Sequence, residues 1–348
     1  MDVRLSSEQV ALRDSAAQVV DRHGPKTVAA LDDAERAAKL DAAVAAAGWR
    51  ELRTATDAGV PWSSAVEVAV VAEELGRGLA DAAFLGPMLA ADLRRRAGAP
   101  PAGAPETVAL TADLSAPARV RDGMLPPGAL AVDAHGDGAA LVLRPGAAGE
   151  TVHVVAFSGD AVGGVDLTRP SAAFGDAAAA HPLESQTRPL SPEDVARLHS
   201  LGMAAACADL VGVMRGALTC ATDYARDRRQ YGAPIGSFQA VQHLLADALT
   251  ATEGSRSIAL HAAWAVDALD GDDALAATSA AKAYCTRAAR AVCETAIQVY
   301  GGIGNTWECL AHVFLRRALL SGELLGGVGA SLGRVLAAHG LGDGRGLR

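Results

Sequence analysis

Two stretches in the second half of the chain decide how this sequence folds. The first, residues 226–242, reads RDRRQYGAPIGSFQAVQ, and the second, residues 298–308, reads QVYGGIGNTWE. Each is a polar, glycine-containing segment between two Ala-rich helical patterns, so both are predicted to be loops between helices. A guanidinium in the first loop suits bidentate contact with a pyrophosphate. The glycine pair of the second lets backbone N–H groups approach phosphate oxygens.

The helices around these loops predict a C-terminal bundle over residues 191–348. Ser191 is a good N-cap and Pro192 suits the first helical position, so one long helix is expected from there to about Arg228. Further helices are expected over 238–269 and 273–300, from about residue 307, and up to about residue 339. The Ala and Gly content of their facing surfaces favours close approach, as in a four-helix bundle.

The first half of the chain divides into two zones with different sequence patterns. Residues 1–104 show helical periodicity and end in a proline-rich linker. Residues 105–190 contain short apolar runs, at 107–110, 129–132, 140–143 and 151–156, separated by Gly, Pro and Asp, which predict a small, abbreviated β-barrel or sandwich. The expected fold is therefore α+β and mostly α: an N-terminal helical domain, a short middle β-barrel and the helical bundle.

Composition excludes several classes of protein. Half of the 348 residues are hydrophobic but only 4% are aromatic, so the core must consist of small aliphatic side chains. The net charge of −9 argues against binding nucleic acid through bulk charge. The sequence suggests neither a membrane span nor a signal peptide, which predicts a soluble cytoplasmic protein. The five cysteines are predicted to be buried thiols, and no metal site is expected.

The two loops resemble the flavin-binding motifs of the acyl-CoA dehydrogenases, R-x-Q-[FY]-G-x-P-I-x-x-F-Q and Q-x-[FY]-G-G-x-G. The helix–strand–helix order of the chain is similar to that family as well. The resemblance implies that FAD is the cofactor and that Arg228 and Gln239 bind the FAD of one protomer. Gln298, Gly301 and Gly302 would reach the FAD of the mate. Tyr231 occupies a motif position too, although it could simply staple the loop.

The resemblance also implies a reaction, the α,β-dehydrogenation of an acyl-CoA thioester. In that family a carboxylate removes the α-proton while a hydride passes to the flavin, and an electron-transfer flavoprotein then accepts the electrons. A carboxylate base is therefore the feature on which independent activity depends. The implied partners are an acyl-CoA substrate, the electron-transfer flavoprotein and further subunits of an oligomer.

The two positions at which the family carries its base are degenerate here. Counting along the motifs places them at Leu325 and Gly202, and neither residue can accept a proton. Glu323, two residues before Leu325, is the best substitute candidate for the base, although a solvated or capping glutamate would look the same. Glu308 and Asp209 are weaker candidates. The family's T-E-P-x-x-G-S segment and W-I-T-N-G-like strand, which contact the flavin ring, are missing.

Two functional hypotheses follow. The chain is an acyl-CoA dehydrogenase that uses Glu323 or another non-standard base. Alternatively, it is a catalytically degenerate subunit that lends its flavin loops to an active homologue, as in actinobacterial heterotetramers, several of which act on steroid side chains. A helical scaffold without cofactor is a third option, which the intact flavin motifs disfavour. A homo-oligomer and a heterotetramer both remain open.

Overall fold

The structure, a computed structural model, describes residues 4–134, 136–158, 164–175 and 178–341. Helices come first along these residues, strands follow, and helices return, in the order predicted. The helices and strands are α1 (Ser7–His23), α2 (Ala34–Ala46), α3 (Ala65–Arg77), α4 (Leu85–Arg96), β1 (Glu106–Leu110), β2 (Leu130–Val132), β3 (Gly138–Arg144), β4 (Thr151–Phe157), β5 (Ser171–Ala173), β6 (His181–Pro182), α5 (Pro192–Asp227), β7 (Arg229–Gln230), β8 (Ala233–Pro234), α6 (Gln239–Ala268), α7 (Gly271–Tyr300), α8 (Ala311–Glu323) and α9 (Val328–Ala338).

The strands β1–β6 form one sheet in the order β5-β2-β1-β3-β4-β6. Four of them cover the predicted apolar runs. β1 pairs parallel to β3, whereas the other neighbours pair antiparallel. No ladder between β5 and β6 closes the sheet among the described residues, because these edge strands have only three and two residues. Isolated bridges, such as Met124 to Ala179, extend the pairing around the sheet instead.

The helix α5 is the central element of the fold. It begins with a capping box between Ser191 and Asp194, with Pro192 in the first turn. It is long and apolar enough to cross a membrane by composition, but 89% of its most apolar window is buried inside the protein. The core helix of a soluble protein has this character. α5 packs against α3, α6, α7 and α8.

Glycines allow α3 and α5 to pack with their backbones almost in contact. A Cβ on Gly212 of α5 would lie 1.9 Å from the carbonyl oxygen of Glu73 in α3. A Cβ on Gly76 of α3 would lie 2.4 Å from the carbonyl oxygen of Asp209. No real side chain tolerates such distances, so both glycines are required by this crossing. The small-residue composition therefore follows from close helix packing.

Candidate functional site

The loop after α5 is exposed to solvent and turns through two residues with left-handed backbones. Residues 226–232 are all exposed. Tyr231 has a φ of 51° and Gly232 a φ of 80°, and Tyr231 is 96% exposed, with its ring edge against Phe238. The side chain of Arg228 has no ion-pair partner among the described residues. Its guanidinium is therefore free to bind an anion from outside the chain.

The same loop leads into the N-terminus of α6. Gln239 is the first residue of this helix and is exposed, and the N-cap residue Phe238 makes no side-chain capping hydrogen bond. Within the described residues, the backbone N–H groups of Gln239 and Ala240 have no hydrogen-bond partner, an arrangement that favours a phosphate group.

The loop after α7 carries the glycine pair. Gly301 ends α7 with a φ of 67°, a conformation that glycine adopts without strain. A Cβ built on Gly301 or Gly302 would meet nothing within 4 Å, so the backbone of both glycines borders open space. Gln298, one turn earlier, is also exposed. The second predicted loop is therefore accessible to a ligand.

Stacking between two tyrosines brings the two loops together at one end of the bundle. The rings of Tyr224 and Tyr300 lie 4.4 Å apart, and the Tyr300 hydroxyl donates a hydrogen bond to the carbonyl oxygen of Cys220 at 3.2 Å. Tyr224 lies one turn before Arg228, and Tyr300 directly precedes Gly301. The expected binding residues of one chain thus lie at a single exposed end.

The two expected base positions are in direct contact with each other. A Cβ on Gly202 of α5 would lie 2.1 Å from Cδ1 of Leu325 and 3.2 Å from Cδ1 of Leu89. Leu325 is only 2% exposed. The remaining void beside it is about 10 Å³, room for a single water at most, among leucines of α4, β1 and β3. This void is too small for a thioester.

The backbone of Leu325 is fixed by hydrogen bonds on both sides. Leu325 has a φ of 61°, and its N–H donates to the carbonyl oxygen of Leu114 at 2.7 Å. Its own carbonyl oxygen accepts from His199 Nε2 at 2.7 Å and from Arg334 Nη1 at 3.3 Å. Burial, with the nearby Arg334 charge, lowers the pKa of His199 to about 4, so the imidazole is neutral with its proton on Nε2.

Glu323 lies at the end of α8, outside this apolar contact. Its side chain is exposed, whereas Gly202 and Leu325 are buried. A Cβ on Gly327, the N-cap residue of α9, would lie 2.3 Å from Oε2 of Glu323. The carboxylate therefore sits at the positive N-terminus of α9, where a negative charge is favourable. Glu308 is exposed in the loop before α8.

Asp209 is an ion-pair partner at the centre of the protein. One carboxylate oxygen accepts hydrogen bonds from Arg317 Nη2 at 2.6 Å and Nε at 3.0 Å, and the other accepts from the Ser321 hydroxyl at 2.7 Å. Arg169 lies 3.3 Å away. Burial alone would raise the pKa of Asp209, but Arg317 and Arg169 lower it below its ordinary value. A carboxylate held in this way is a poor proton acceptor.

This ion cluster extends from the bundle to the sheet and to α4. Arg169 forms a second ion pair with Asp133 at 3.1 Å. Asp133 in turn accepts hydrogen bonds from the backbone N–H groups of Phe84 and Gly86 at the start of α4. The motifs did not indicate Arg169, Arg317 or Asp133. The adjacent Arg316 and Arg317 in the otherwise mostly apolar helix α8 were the available signal, since an arginine among buried residues needs a carboxylate partner.

Comparison with known proteins identifies the family. The sequence matches the family described as "Acyl-CoA dehydrogenase, C-terminal domain" over residues 200–341. It is 30% identical to acyl-CoA dehydrogenase IpdE2 of Mycobacterium tuberculosis over 333 residues, which cover 91% of this chain and 93% of IpdE2. The chain belongs to the acyl-CoA dehydrogenase family. Family membership makes it an FAD-dependent oxidoreductase by class.

Other known proteins are similar to part of this chain or to nearly all of it. Acyl-CoA dehydrogenase FadE34 of M. tuberculosis is 44% identical over 141 residues, 40% of this chain but only 20% of FadE34. Two solved structures share the fold with a TM-score of 0.77 and 23% identity: the Tcur3481-Tcur3483 steroid ACAD, covering 97% of this chain and 99% of that one, and the ChsE4-ChsE5 complex from M. tuberculosis, covering 98% and 99%.

The residues present suit one part of FAD and not the other. The ADP part carries a pyrophosphate, which matches the free guanidinium of Arg228, the start of α6 and the open backbone at Gly302. If the base positions implied by the resemblance are correct, the flavin ring and the thioester would require space near Gly202 and Leu325. That space is filled by packed apolar side chains.

We predict that Gly202 and Leu325 are energetically coupled. Gly202→Ala should destabilise the protein by about 1–3 kcal/mol because its Cβ overlaps Leu325. Leu325→Ala should cost about 2–5 kcal/mol by leaving a cavity. In the double variant the alanine at 202 fills part of that cavity, so urea unfolding should give a loss smaller than the sum. Gly329→Ala, where a Cβ meets open space, is the control and should not destabilise. Strict additivity would contradict this contact.

We also predict that His199 makes stability fall in mild acid. Its folded pKa of about 4 lies below the ordinary 6.5, so the unfolded chain binds the proton more tightly. The stabilisation is complete above pH 6.5 and is lost as the pH falls toward 4, at about 1.4 kcal/mol per pH unit. His199→Gln retains a donor and removes the titration, so its unfolding free energy should depend less on pH over this range. Equal pH slopes in the two proteins would rule the effect out.

Proposed function

We propose that this chain is a subunit of a heteromeric acyl-CoA dehydrogenase and lends its flavin loops to a catalytic site on a homologous partner. The partner would supply the base for α,β-dehydrogenation of an acyl-CoA thioester in the cytoplasm. The contact between Gly202 and Leu325 carries this proposal, because it occupies both positions at which a base is expected. An independent enzyme would need that space open.

The chain's own contribution would be to hold the ADP part of the cofactor. The resemblance divides the two loops between the cofactors of two protomers, but because both loops lie at the same end of the bundle we assign them to one FAD. Arg228 would bind its pyrophosphate in a bidentate manner. The N–H of Gly302 would approach the phosphate oxygens, since the N–H of Gly301 already donates to carbonyl oxygens of α7. The side-chain amides of Gln239 and Gln298 would hydrogen-bond the adenine or ribose. FAD, when bound, supplies the hydride acceptor, and its electrons would pass to an electron-transfer flavoprotein.

The three carboxylates considered as substitute bases do not favour independent activity. Glu323 lies at the N-terminus of α9 in solvent, and Glu308 is exposed in a loop. Asp209 is held in ion pairs by two arginines. A general base must reach the proton that it removes, and none of the three borders the expected thioester position beside Leu325.

The solved structures with the same fold support a partner of this kind. The ChsE4-ChsE5 structure is a complex of two named chains, and the Tcur3481-Tcur3483 protein is described as a steroid ACAD. We infer by analogy a heterotetramer that acts in lipid or steroid metabolism. In a homodimer, the flavin loops of each copy would face a copy in which the expected base positions are filled by Gly202 and Leu325. A second type of subunit, in which this space is open, is therefore needed.

We predict that the chain is inactive by itself and active with a homologue that retains the glutamate. When the two are co-purified, native mass and flavin absorbance should give one FAD for every two chains, because only the partner can hold the flavin ring. Addition of an acyl-CoA should bleach the flavin of the complex and not that of this chain alone. One FAD per chain with turnover by the chain alone would refute the proposal.

Variants of the complex should separate cofactor binding from catalysis. Arg228→Ala should weaken FAD binding by roughly 10- to 100-fold, the loss expected for charge-assisted hydrogen bonds of about 1.5–3 kcal/mol. Glu323→Gln should leave both FAD content and turnover unchanged, since the Glu323 carboxylate lies at the N-terminus of α9 and acts on that helix only. FAD content is measured by absorbance and turnover with an artificial electron acceptor.

Arg226→Ala is the matched control for the loop, because this exposed arginine pairs with Asp223 on the surface of α5. It should keep its FAD. Full FAD retention in Arg228→Ala would contradict the assigned role of the loop. Loss of turnover in Glu323→Gln with FAD retained would instead make Glu323 the base and reinstate the independent enzyme.

A further inference from the structure

A cavity of about 550 Å³ lies between the N-terminal helices and the sheet, apart from the flavin loops and the Gly202–Leu325 contact. Its volume is in the range of small-molecule sites. The walls come from α2, the turn before α3, the outer face of α4, the linker to β1 and the ends of β2 and β4. The lining includes Asp41, Arg50, Glu51, Thr54, Ala83, Pro87, Ala90, Ala91, Arg94, Glu106, Thr107, Asp133, Ala134 and Phe157.

The cavity exists because the side chains on two faces of α4 differ in size. Leu89 and Leu93 point into the core beside Leu325. Pro87, Ala90 and Ala91, at helical spacing on the neighbouring face, line the cavity instead. Short side chains on this face leave a volume that leucines would have filled. The result is an apolar wall.

The guanidinium of Arg94 contacts both ends of the linker that covers one side of the cavity. The linker 101–105, of sequence PAGAP, lines the cavity and is exposed to solvent. Arg94 donates one hydrogen bond to the carbonyl oxygen of Pro100 at 3.0 Å and another to the Glu106 carboxylate at 2.8 Å. These residues flank the linker on its two sides. The linker, called the arch below, is therefore fixed at both ends and lies opposite the apolar face of α4.

The charges around the cavity leave one carboxylate free. Arg50 is paired with Asp41, and Arg94 with Glu106. Asp133 is engaged by Arg169. Glu51 also lines the cavity, where its side chain is exposed to solvent, and within the described ranges no ion-pair or hydrogen-bond partner of its carboxylate is found. No cation is left to attract a phosphate, whereas a ligand cation would find a partner in Glu51.

We propose that this cavity binds an amphipathic amine, with an apolar body against α4 and Phe157 and an ammonium group at Glu51. The apolar body gains by leaving water, and the ammonium gains a charge-assisted hydrogen bond. The phosphates of an acyl-CoA would face Glu51 with no unpaired cation among the described lining residues, so this site is distinct from a substrate site. The proposal does not depend on the flavin-site role.

Three pyrene probes with the same apolar body and different head groups test the charge preference: pyrenylmethylamine, pyrenylmethanol and pyrenecarboxylate. Fluorescence anisotropy with the full chain should give saturable binding of the amine. The alcohol should bind about two- to fivefold more weakly, because it lacks the ionic component, which is modest at an exposed carboxylate. The carboxylate should not bind. Binding of the carboxylate as tight as that of the amine, or no binding of the amine, would overturn the proposal.

Variants locate the binding. Glu51→Gln should reduce amine binding to the level of the alcohol. Ala91→Phe and, on the exposed arch, Ala102→Trp should block all the probes by filling the cavity; the second variant disturbs no packed helix. Ala337→Phe, exposed on α9, is the control and should bind normally. Unchanged amine binding in Glu51→Gln, or in the folded Ala102→Trp variant, would place the probe elsewhere and refute the site.

Discussion

One buried carboxylate, Asp209 of α5, connects the three parts of the chain. Arg317 and Ser321 bring α8 to it, and Arg169 brings the segment between β4 and β5. Through Asp133 the same arginine reaches the start of α4. Charges removed from water are tolerated only when each has its partner, so loss of one member leaves another buried and uncompensated. The packing of sheet against bundle depends on the whole cluster being complete.

The positions expected to bind the cofactor and those expected to carry the base lie in opposite environments in this fold. The loops that contain Arg228 and Gly301 are polar and open to solvent, while Gly202 and Leu325 are packed in the apolar interior. Tyr224 and Tyr300 hold the loops at the end of the bundle, whereas the interior is filled by packing around α5. The same long helix therefore contributes to both environments.

Local signals predicted the elements well, and contacts distant in sequence remained hidden. The start of α5 was predictable from Ser191 and Pro192 because capping acts within one turn. The positions of the two loops followed from glycine and proline chemistry. The meeting of Gly202 with Leu325 joins separate helices and depends on tertiary packing, which no periodicity encodes. Arg317 looks like a solvated helix residue until its carboxylate partner is known. The family motifs also do not show that residues suited to the ADP part of FAD are present while space for its ring is absent.

The contact between Gly202 and Leu325 also has an evolutionary consequence. A glutamate at 202 would collide with the leucine, and a glutamate at 325 would be buried against Leu89 and other aliphatic side chains, where desolvation opposes ionisation. A base at 202 would therefore need a smaller residue at 325 as well, whereas a glutamate at 325 would meet mainly the cost of burial. The two positions do not change independently, so this packing restricts the order in which substitutions can accumulate here.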